Sequence, residues 1–323
     1  MSRFLVLIVT LLTIIRPPFL KPGDKVAIVS PSFAPMDTVS FNRGIGVIRS
    51  WGLEPVIFDH AVIDPIKDEK NRIRNYYAGS KEERVEDLLM AYADDSIKAI
   101  ICSRGGYGAI QLIDLMPLST YSDHPKWLVG YSDITTLHSA STLSGVMSIH
   151  GDMVTSFGAK KEVSEYSTAV KDLLFGSIPA TYVEHSDYDV TGSAEGTLIG
   201  GNMVTFQALA GTKYDASQLD SCILFIEEVE ESMHVLDRFF RILSFNGRIP
   251  NIKGIVVGSM TGIREEMAYH DAYAAISQYT KELGIPVCFG FPAGHGKKNM
   301  PLIMGATVKL NVTPEGSTLT YEF

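Results

Sequence analysis

The sequence predicts an α/β protein of two domains, the first built on a parallel β-sheet. The chain has 323 residues, a length that two domains accommodate more readily than one. Short apolar segments alternate with helix-like segments through the first half, an order typical of parallel sheets. One apolar segment runs through Gly130, Tyr131 and Ser132 into a helix-like pattern. A strand, a sharp turn and a helix in this order can present a nucleophilic serine.

The composition is that of a globular protein without a nucleic-acid-binding surface. The net charge is −9, and 46% of the residues are hydrophobic, as in ordinary globular proteins. No Lys/Arg-rich run is present, so we expect no nucleic-acid partner. The cysteines Cys102, Cys222 and Cys288 lie in apolar segments without metal-ligand spacing. We therefore expect buried free thiols at these positions. We also expect no cofactor.

Residues 1–14 form an apolar extension ahead of the first domain. The apolar run from Phe4 to Ile15 is too short to span a bilayer as an ordinary helix, and no small-x-small cleavage site follows it. It is an atypical signal, a membrane-proximal anchor or a plain extension. Membrane association is expected only if it acts as an anchor. The first domain is predicted over residues 15–157.

The elements of the first domain follow from apolar periodicity and capping signals. Helices are predicted from Phe41 to Trp51 and after Ser80, where Glu83 completes a capping box. One strand is predicted to end just before Ser132. The other strands are predicted over Asp24–Ser30, Glu54–Phe58, Ile97–Cys102 and Val146–Ile149.

A glycine-rich turn, Arg104–Gly108, follows the third of these strands. Such a turn lets backbone amides approach a ligand closely. Loops at the carboxyl ends of neighbouring parallel strands share one crevice, so we expect this turn to face Ser132. A phosphate loop or a simple tight turn are the alternatives, but no dinucleotide-binding or Walker pattern is present.

The second half is predicted to be a separate domain over residues 192–323, after a polar connection at 158–191 with a helix near Ser167–Phe175. Its helices are predicted over Val204–Leu209, Ser232–Leu243 and Met267–Leu283. Its strands are predicted over Thr197–Asn202, Ser221–Glu228, Ile252–Met260, Pro286–Phe289, Ala306–Leu310 and Thr318–Phe323.

A serine nucleophile needs a base and an acid that orients the base. His295 is the main candidate base, because Gly294 and Gly296 leave bare backbone on both sides of it. A turn histidine with a structural hydrogen bond is the alternative. His150 competes as the base, whereas His138, two helical turns past Ser132, points back along a helix and is expected to have a packing role.

Two glutamates, Glu227 and Glu228, end an apolar strand, and side-chain alternation allows only one of them to face the cleft. A solvated strand end or a helix-capping charge is the alternative for both. The order Ser–Glu–His matches that of serine hydrolases with a nucleophile elbow. Ile134 occupies the place of the second glycine in the usual elbow pattern, so that motif alone is weak.

From about Ile15 to its end, the chain resembles the LD-carboxypeptidase family of serine peptidases, also called muramoyltetrapeptide carboxypeptidases. Six motifs in order carry the resemblance: Leu20–Asp24, Arg104–Gly108, Gly130–Asp133, Gly200–Asn202, Phe225–Glu228, and Gly294–Gly296 with Asn299.

The resemblance implies a catalytic triad of Ser132, Glu227 and His295, with the backbone N–H groups of Gly106 and Asp133 as the oxyanion hole. It also implies that substrate binds near the residues Arg104, Gly105, Tyr107 and Asn202. Two positions depart from the family pattern. Asp152 stands where the family often has proline, and Glu228 where it usually has aspartate.

The family's fold is a Rossmann-like parallel-sheet domain carrying the elbow, plus a smaller β-rich α/β domain, with the site in the cleft between them. Family members form homodimers and need no metal. The expected reaction is hydrolysis of the L,D bond that releases D-Ala from murein tetrapeptides during cytoplasmic recycling of the cell wall. An exported or membrane-anchored protein is the alternative location.

Two other functions stay open. Some relatives act in microcin immunity and hydrolyse peptidyl- or aminoacyl-adenylate analogues, with an aromatic residue that stacks on the nucleobase. A non-catalytic muropeptide-binding module is the third reading, although a binder has no need of Ser132, Glu227 and His295 together.

Overall fold

The computed structural model describes residues 14–62, 76–178, 180–264 and 270–323. In these ranges the strands are β1 (Lys25–Val29), β2 (Glu54–Ile57), β3 (Ile97–Cys102), β4 (Trp127–Gly130), β5 (Ser148–His150), β6 (Thr181–Glu184), β7 (Gly192–Asn202), β8 (Cys222–Val229), β9 (Ile252–Thr261), β10 (Val287–Phe289), β11 (Leu302–Met304), β12 (Thr307–Thr313) and β13 (Gly316–Glu322).

The α-helices of the same ranges cover the faces of the sheets or cap their ends. They are α1 (Thr38–Ser50), α2 (Lys81–Ala93), α3 (Ser119–Asp123), α4 (Thr135–Leu143), α5 (Val154–Phe157), α6 (Glu165–Leu174), α7 (Met203–Gln207), α8 (Met233–Phe245) and α9 (Ala272–Thr280).

The first sheet has the order β11-β5-β4-β3-β1-β2. Its strands run parallel except β11, which pairs antiparallel with β5 and places Leu302 opposite His150. Because β4 lies between β3 and β5, the loops that follow these three strands meet at one edge of the sheet. The strand β11 comes from the last part of the chain, so the two halves of the sequence share this sheet.

The second sheet has the order β10-β9-β8-β7-β12-β13-β6. The strands from β10 to β7 are parallel, and the remaining pairs are antiparallel. In the β7–β8 pair, Asn202 lies opposite Glu227, so both residues stand at the carboxyl end of this sheet.

The cores explain why these segments form strands. In β1, Val26 and Ile28 pack into one apolar cluster, while Ala27 and Val29 pack into another on the opposite face. In β8, Leu224 and Phe225 likewise enter different clusters. Strands buried on both faces appear in sequence as continuous apolar runs, which is why the runs predicted strands correctly.

The predicted α/β class and the parallel first sheet are confirmed. The capping box of α2 has both reciprocal bonds, between Ser80 and Glu83. The cysteines Cys102, Cys222 and Cys288 are buried free thiols, as expected. The domain limits at residues 15–157, 158–191 and 192–323 stay predictions.

Two strands were missed. The polar connection predicted at 158–191 contains β6, and β11 lies between Gly296 and the predicted strand Ala306–Leu310. The helix predicted from Met267 begins at Ala272, and its first residues fall partly in 265–269, outside the described residues.

The predictions for the apolar extension lie almost entirely outside the described residues, which begin at Ile14. Ile14 packs against the apolar cluster that contains Val26 and Ile28, and the backbone N–H of Ile15 donates to Gly145 O at 2.6 Å. Within the ranges described above, no helix is long and apolar enough to cross a membrane.

Candidate active site

The serine lies in a strained turn at the end of β4. Ser132 opens a short 3-10 turn, Ser132–Ile134, that leads directly into α4. Its φ is +65°, in the left-handed region that residues with a side chain rarely adopt. Backbone strain of this kind costs about 1–3 kcal/mol and persists where the surrounding structure enforces it. The turn therefore has the conformation of a nucleophile elbow.

Ile134 fits the turn because Gly130 lacks a side chain. A Cβ added to Gly130 would lie 2.9 Å from Ile134 Cγ1, which is too close for the two to coexist. The Ile134 side chain therefore occupies space beside Gly130 that stays open in the usual elbow pattern, where both positions are glycine.

The glycine-rich turn after β3 contacts the serine, as the sheet order predicts. A Cβ on Gly105 would lie 2.8 Å from Ser132 Cβ and 3.0 Å from Ser132 Oγ. Gly106 has φ +118° and packs against Phe33. In the part of the chain that the structure describes, the N–H groups of Gly106 and Asp133 donate to no protein acceptor. Both amides are thus available to a ligand oxygen.

The Asp133 side chain holds this turn in place. Its Oδ2 accepts hydrogen bonds from Ser32 Oγ and from the backbone N–H of Ala109, the latter at 2.8 Å. Burial raises the pKa of Asp133, and the two hydrogen bonds oppose that rise. Ser32 was not singled out from the sequence, because a serine in a loop carries no local signal of such a contact.

On the opposite side of the site, Glu227 and His295 form a close pair. Glu227 Oε2 lies 2.8 Å from His295 Nδ1, and it also accepts from the backbone N–H of His295 at 3.0 Å. A carboxylate only accepts, so Nδ1 carries the proton and Nε2 is left as the basic nitrogen. The other carboxylate oxygen, Oε1, is buried without a hydrogen-bond partner in the described structure.

Glycine is required beside this histidine. Gly294 has φ +109°, and a Cβ there would lie 2.6 Å from Glu227 Oε2. The loop before His295 therefore lies directly on the carboxylate.

Burial alone would lower the pKa of His295, but the hydrogen bond and the charge of Glu227 outweigh it and raise that pKa above the ordinary value. The ring of Tyr131 lies 4.9 Å from the imidazole, centroid to centroid. Tyr131 was not predicted as a site residue, although it immediately precedes the serine.

Ser132 and His295 line the same cavity, which has a volume of about 370 Å³ and also contains Arg104, Gly105 and Gly106. Within the described ranges, no hydrogen bond joins Ser132 Oγ to the imidazole. The structure thus places Ser132 and His295 at one cavity and pairs His295 with Glu227. The hydrogen bond between Ser132 and His295 that the predicted triad requires is not formed among the described residues.

Arg104 is half-buried at the cavity wall. Its guanidinium lies 5.9 Å from the centroid of the Phe33 ring, and burial lowers its pKa from the usual value. Among the described residues it makes no hydrogen bond or ion pair. An unpaired guanidinium at a cavity wall favours an anionic ligand, since its five donors match a carboxylate.

Two predicted substrate residues lie away from the cavity walls. Tyr107 is 51% exposed at the tip of the glycine turn. Asn202 is buried, caps α7 through Thr205, and donates to Glu228 Oε1 at 2.7 Å. Glu228 Oε2 accepts from the backbone N–H of Val204 at 2.9 Å, whereas Glu227 bonds to His295, and burial raises the pKa of Glu228.

The competing histidines are both buried. Both ring nitrogens of His138 form hydrogen bonds at 2.8 Å, to Ser148 Oγ and to the carbonyl of Gly130, which fits a structural role. His150 has no partner on either ring nitrogen in the described structure, and burial holds its pKa well below the ordinary value. A neutral imidazole without access to the cavity is poorly placed to act as the base.

Comparisons with known proteins identify the family of the chain. The family model of the LD-carboxypeptidase N-terminal domain matches residues 26–151, and that of the C-terminal domain matches residues 195–310. The chain belongs to the LD-carboxypeptidase family. Its members are serine-type carboxypeptidases, so the enzyme class expected from the sequence is confirmed.

Individual relatives cover most of the chain. A putative carboxypeptidase from Synechocystis is 30% identical, covering 92% of this chain and 94% of its own. The murein tetrapeptide carboxypeptidase of Pseudomonas aeruginosa is 32% identical, covering 76% of this chain and 81% of its own.

Two solved structures share the fold over nearly the full length. The muramoyltetrapeptide carboxypeptidase of Oxalobacter formigenes has a TM-score of 0.79 at 26% identity, covering 93% of this chain and 99% of its own. An MccF-like protein from Bacillus anthracis has a TM-score of 0.79 at 25% identity, covering 95% and 99%.

Proposed function

We propose that this LD-carboxypeptidase hydrolyses the L,D peptide bond that releases terminal D-Ala from murein tetrapeptides. One observation carries the proposal: a serine in a strained turn and a histidine bonded to a buried glutamate line one cavity with an unpaired guanidinium. The relative named murein tetrapeptide carboxypeptidase supports this choice of substrate.

In the proposed reaction, Ser132 Oγ attacks the carbonyl carbon of the residue before D-Ala while His295 Nε2 takes the hydroxyl proton. Glu227 keeps the imidazole in the required tautomer and stabilises its charged form. The tetrahedral intermediate collapses, the C–N bond breaks, and His295 gives the proton to the leaving D-Ala amine. Water, deprotonated by His295, then attacks the acyl-enzyme and regenerates Ser132 with release of the tripeptide.

The oxyanion of each tetrahedral intermediate would be stabilised by the N–H groups of Gly106 and Asp133. Asp133 directly follows Ser132, and Gly106 follows Gly105, which packs against Ser132; among the described residues neither N–H has a protein acceptor. Loss of one such donor costs about 3–4 kcal/mol of transition-state stabilisation in other hydrolases. Asp133 supports this arrangement by bracing the turn through Ser32 and Ala109.

Arg104 would bind the free carboxylate of the terminal D-Ala. A carboxypeptidase must recognise this group, and the guanidinium is the one charged donor among the side chains lining the cavity besides the imidazole. Restricting cleavage to the last residue follows from that contact, because an internal peptide bond offers no carboxylate at this distance.

The test is to incubate the purified protein with L-Ala-γ-D-Glu-meso-diaminopimelate-D-Ala and with its lysine counterpart, and to measure free D-Ala by mass spectrometry. The matched control peptide ends in D-Ala amide. We expect the wild type to release D-Ala from an acid-terminated peptide and to cleave the amide at least about 100-fold more slowly. The Arg104→Met variant should cleave the acid-terminated peptide at least about 100-fold more slowly than the wild type does. Equal cleavage of acid and amide would contradict the role of Arg104.

A second candidate is hydrolysis of aminoacyl-adenylate analogues. The exposed ring of Tyr107, beside Tyr77 and on the same glycine turn as the cavity residue Gly106, favours it because such a substrate needs an aromatic surface for its base. Turnover of an acyl-sulfamoyl adenylate faster than that of the tetrapeptide would favour this candidate. Tight tetrapeptide binding without turnover would instead favour a binding module.

We also infer that the protein acts as a homodimer in the cytoplasm, where wall fragments are recycled. Light scattering on the eluted protein tests the first point, and cell fractionation tests the second. A monomer, or protein recovered outside the cytoplasm, would contradict the respective inference.

A further inference from the structure

A buried carboxylate outside the predicted triad gathers three hydrogen bonds at the boundary between the two sheets. Asp152 follows β5 and is buried. Its Oδ2 accepts from Ser167 Oγ at 2.7 Å and more weakly from Ser164 Oγ at 3.4 Å. Its Oδ1 accepts from Asn299 Nδ2 at 2.9 Å. The carboxylate therefore joins α6 to the loop that contains His295.

The contact continues from Asn299 to the histidine. Asn299 is buried, and its Oδ1 accepts from the backbone N–H of Gly294 at 3.0 Å. The next residue is His295, whose backbone and imidazole both bond to Glu227. A continuous set of hydrogen bonds thus runs from Asp152, beside the first sheet, to the base of the proposed triad.

This loop has little room to move. A Cβ on Gly294 would overlap Glu227, and one on Gly296 would lie 2.9 Å from Ser259 Cβ. The Gly294 N–H is buried, so loss of its acceptor leaves an unsatisfied donor that favours displacement of the loop. A shift of about 1 Å in a reacting group costs roughly 100-fold in rate.

We propose that Asp152 is a positioning residue that holds the His295 loop, through Asn299, against Glu227 at the wall of the cavity that Ser132 also lines. The inference rests on the proposed triad. Asp152 itself does not line the cavity, although its neighbour Met153 does. Its effect is therefore on the base and not on the bound substrate.

The experiment measures two quantities in wild type and in the variants Asp152→Ala, Asn299→Ala, their double variant and Asp152→Asn. One is kcat and KM for D-Ala release. The other is the rate at which a serine-directed fluorophosphonate labels Ser132, which needs no knowledge of the substrate. Both rates are divided by the fraction of folded protein, which circular dichroism and thermal unfolding measure.

Each alanine variant is expected to lower kcat and the labelling rate by about 10- to 100-fold, with KM changed by less than about 3-fold. The double variant should be no worse than either single one, because both remove the same set of contacts. Asp152→Asn should recover most of the rate, since its carbonyl can accept from Asn299 while its amide donates to Ser167 Oγ.

The matched control is Asp215→Asn. Asp215 is another buried carboxylate that accepts from a serine, Ser217, and from Arg248, but it lies outside the cavity. It should lower thermal stability and leave the labelling rate per folded molecule unchanged.

A purely structural role for Asp152 would lower thermal stability alone. Unchanged kcat and labelling per folded molecule in Asn299→Ala, or additive losses in the double variant, would overturn the proposal. If wild type releases no D-Ala but its Ser132 is labelled and the variants slow that labelling, the substrate assignment fails and the positioning role stands.

Discussion

The two halves of the site are prepared by different physical means. On the first sheet, Ser132 is placed by backbone conformation, with a positive φ and bare glycines packed against it. On the second sheet, His295 is placed by side-chain hydrogen bonds to the buried Glu227. The position of the serine therefore depends on steric fit, whereas that of the base depends on charge and protonation.

This difference predicts that damage to the two halves will have different signatures. A steric change near Ser132 should lower the rate at every pH. A change near Glu227 should lower the rate and also move its pH dependence.

Ser132→Ala should lower kcat for D-Ala release by about 10⁴-fold or more, because it removes the nucleophile. Alanine has the same backbone strain at φ +65°, so the free energy of unfolding should change by less than about 1 kcal/mol. Steady-state kinetics and urea unfolding check both values. Activity retained in this variant would contradict the assignment of the nucleophile.

Glu227→Gln should lower kcat/KM by about 10³- to 10⁴-fold, because an amide no longer stabilises the imidazolium. The wild-type base works when His295 is neutral, so kcat/KM should fall as the pH drops through the raised pKa of His295. Removing the glutamate charge should move this acid limb to lower pH. A pH–rate profile with the same acid limb in both proteins would contradict the pairing.

Gly294→Ala should lower kcat by about 100-fold and also displace the acid limb. The new Cβ would overlap the Glu227 carboxylate, and alanine is disfavoured at φ +109°. The measurement is the pH–rate profile. A lower rate with an unchanged acid limb would contradict this account. It would show that the position of His295, like that of Ser132, depends on steric fit.

Gly105→Ala should lower kcat by about 10-fold or more, because its Cβ would lie 2.8 Å from Ser132 Cβ, and it should leave the acid limb in place. The control is Gly46→Ala in α1, where a Cβ meets no atom within 4 Å. That variant should be fully active and more stable by about 0.5–1 kcal/mol. Equal activity of the two variants would contradict the steric account.

The parts predictable from sequence are those with local signals. The strands β1 and β3, the capping box of α2 and the turn at Ser132 each have a pattern within a dozen residues. In contrast, β11 has three residues, and its partner β5 lies about 150 positions earlier in the chain. Nothing in a three-residue apolar run specifies so distant a partner.

The site divides in the same way. Alternation predicted that Glu227 and Glu228 face opposite sides, but only the family resemblance indicated which one faces the base. The bond between Asp152 and Asn299 spans 147 positions, so no sequence pattern could reveal it. Asp152 could be noticed only as a departure from the family motif, without its physical role.

The most direct test of the proposed Ser132–His295–Glu227 arrangement is the pH dependence of covalent labelling by a fluorophosphonate, with the labelled residue located by peptide mass spectrometry. We predict a single labelled serine, Ser132, at a rate that rises through a pKa above that of an ordinary histidine. In His295→Ala this rise should disappear and labelling should slow by at least about 100-fold. Labelling of another residue, or an unchanged rate in His295→Ala, would contradict the account.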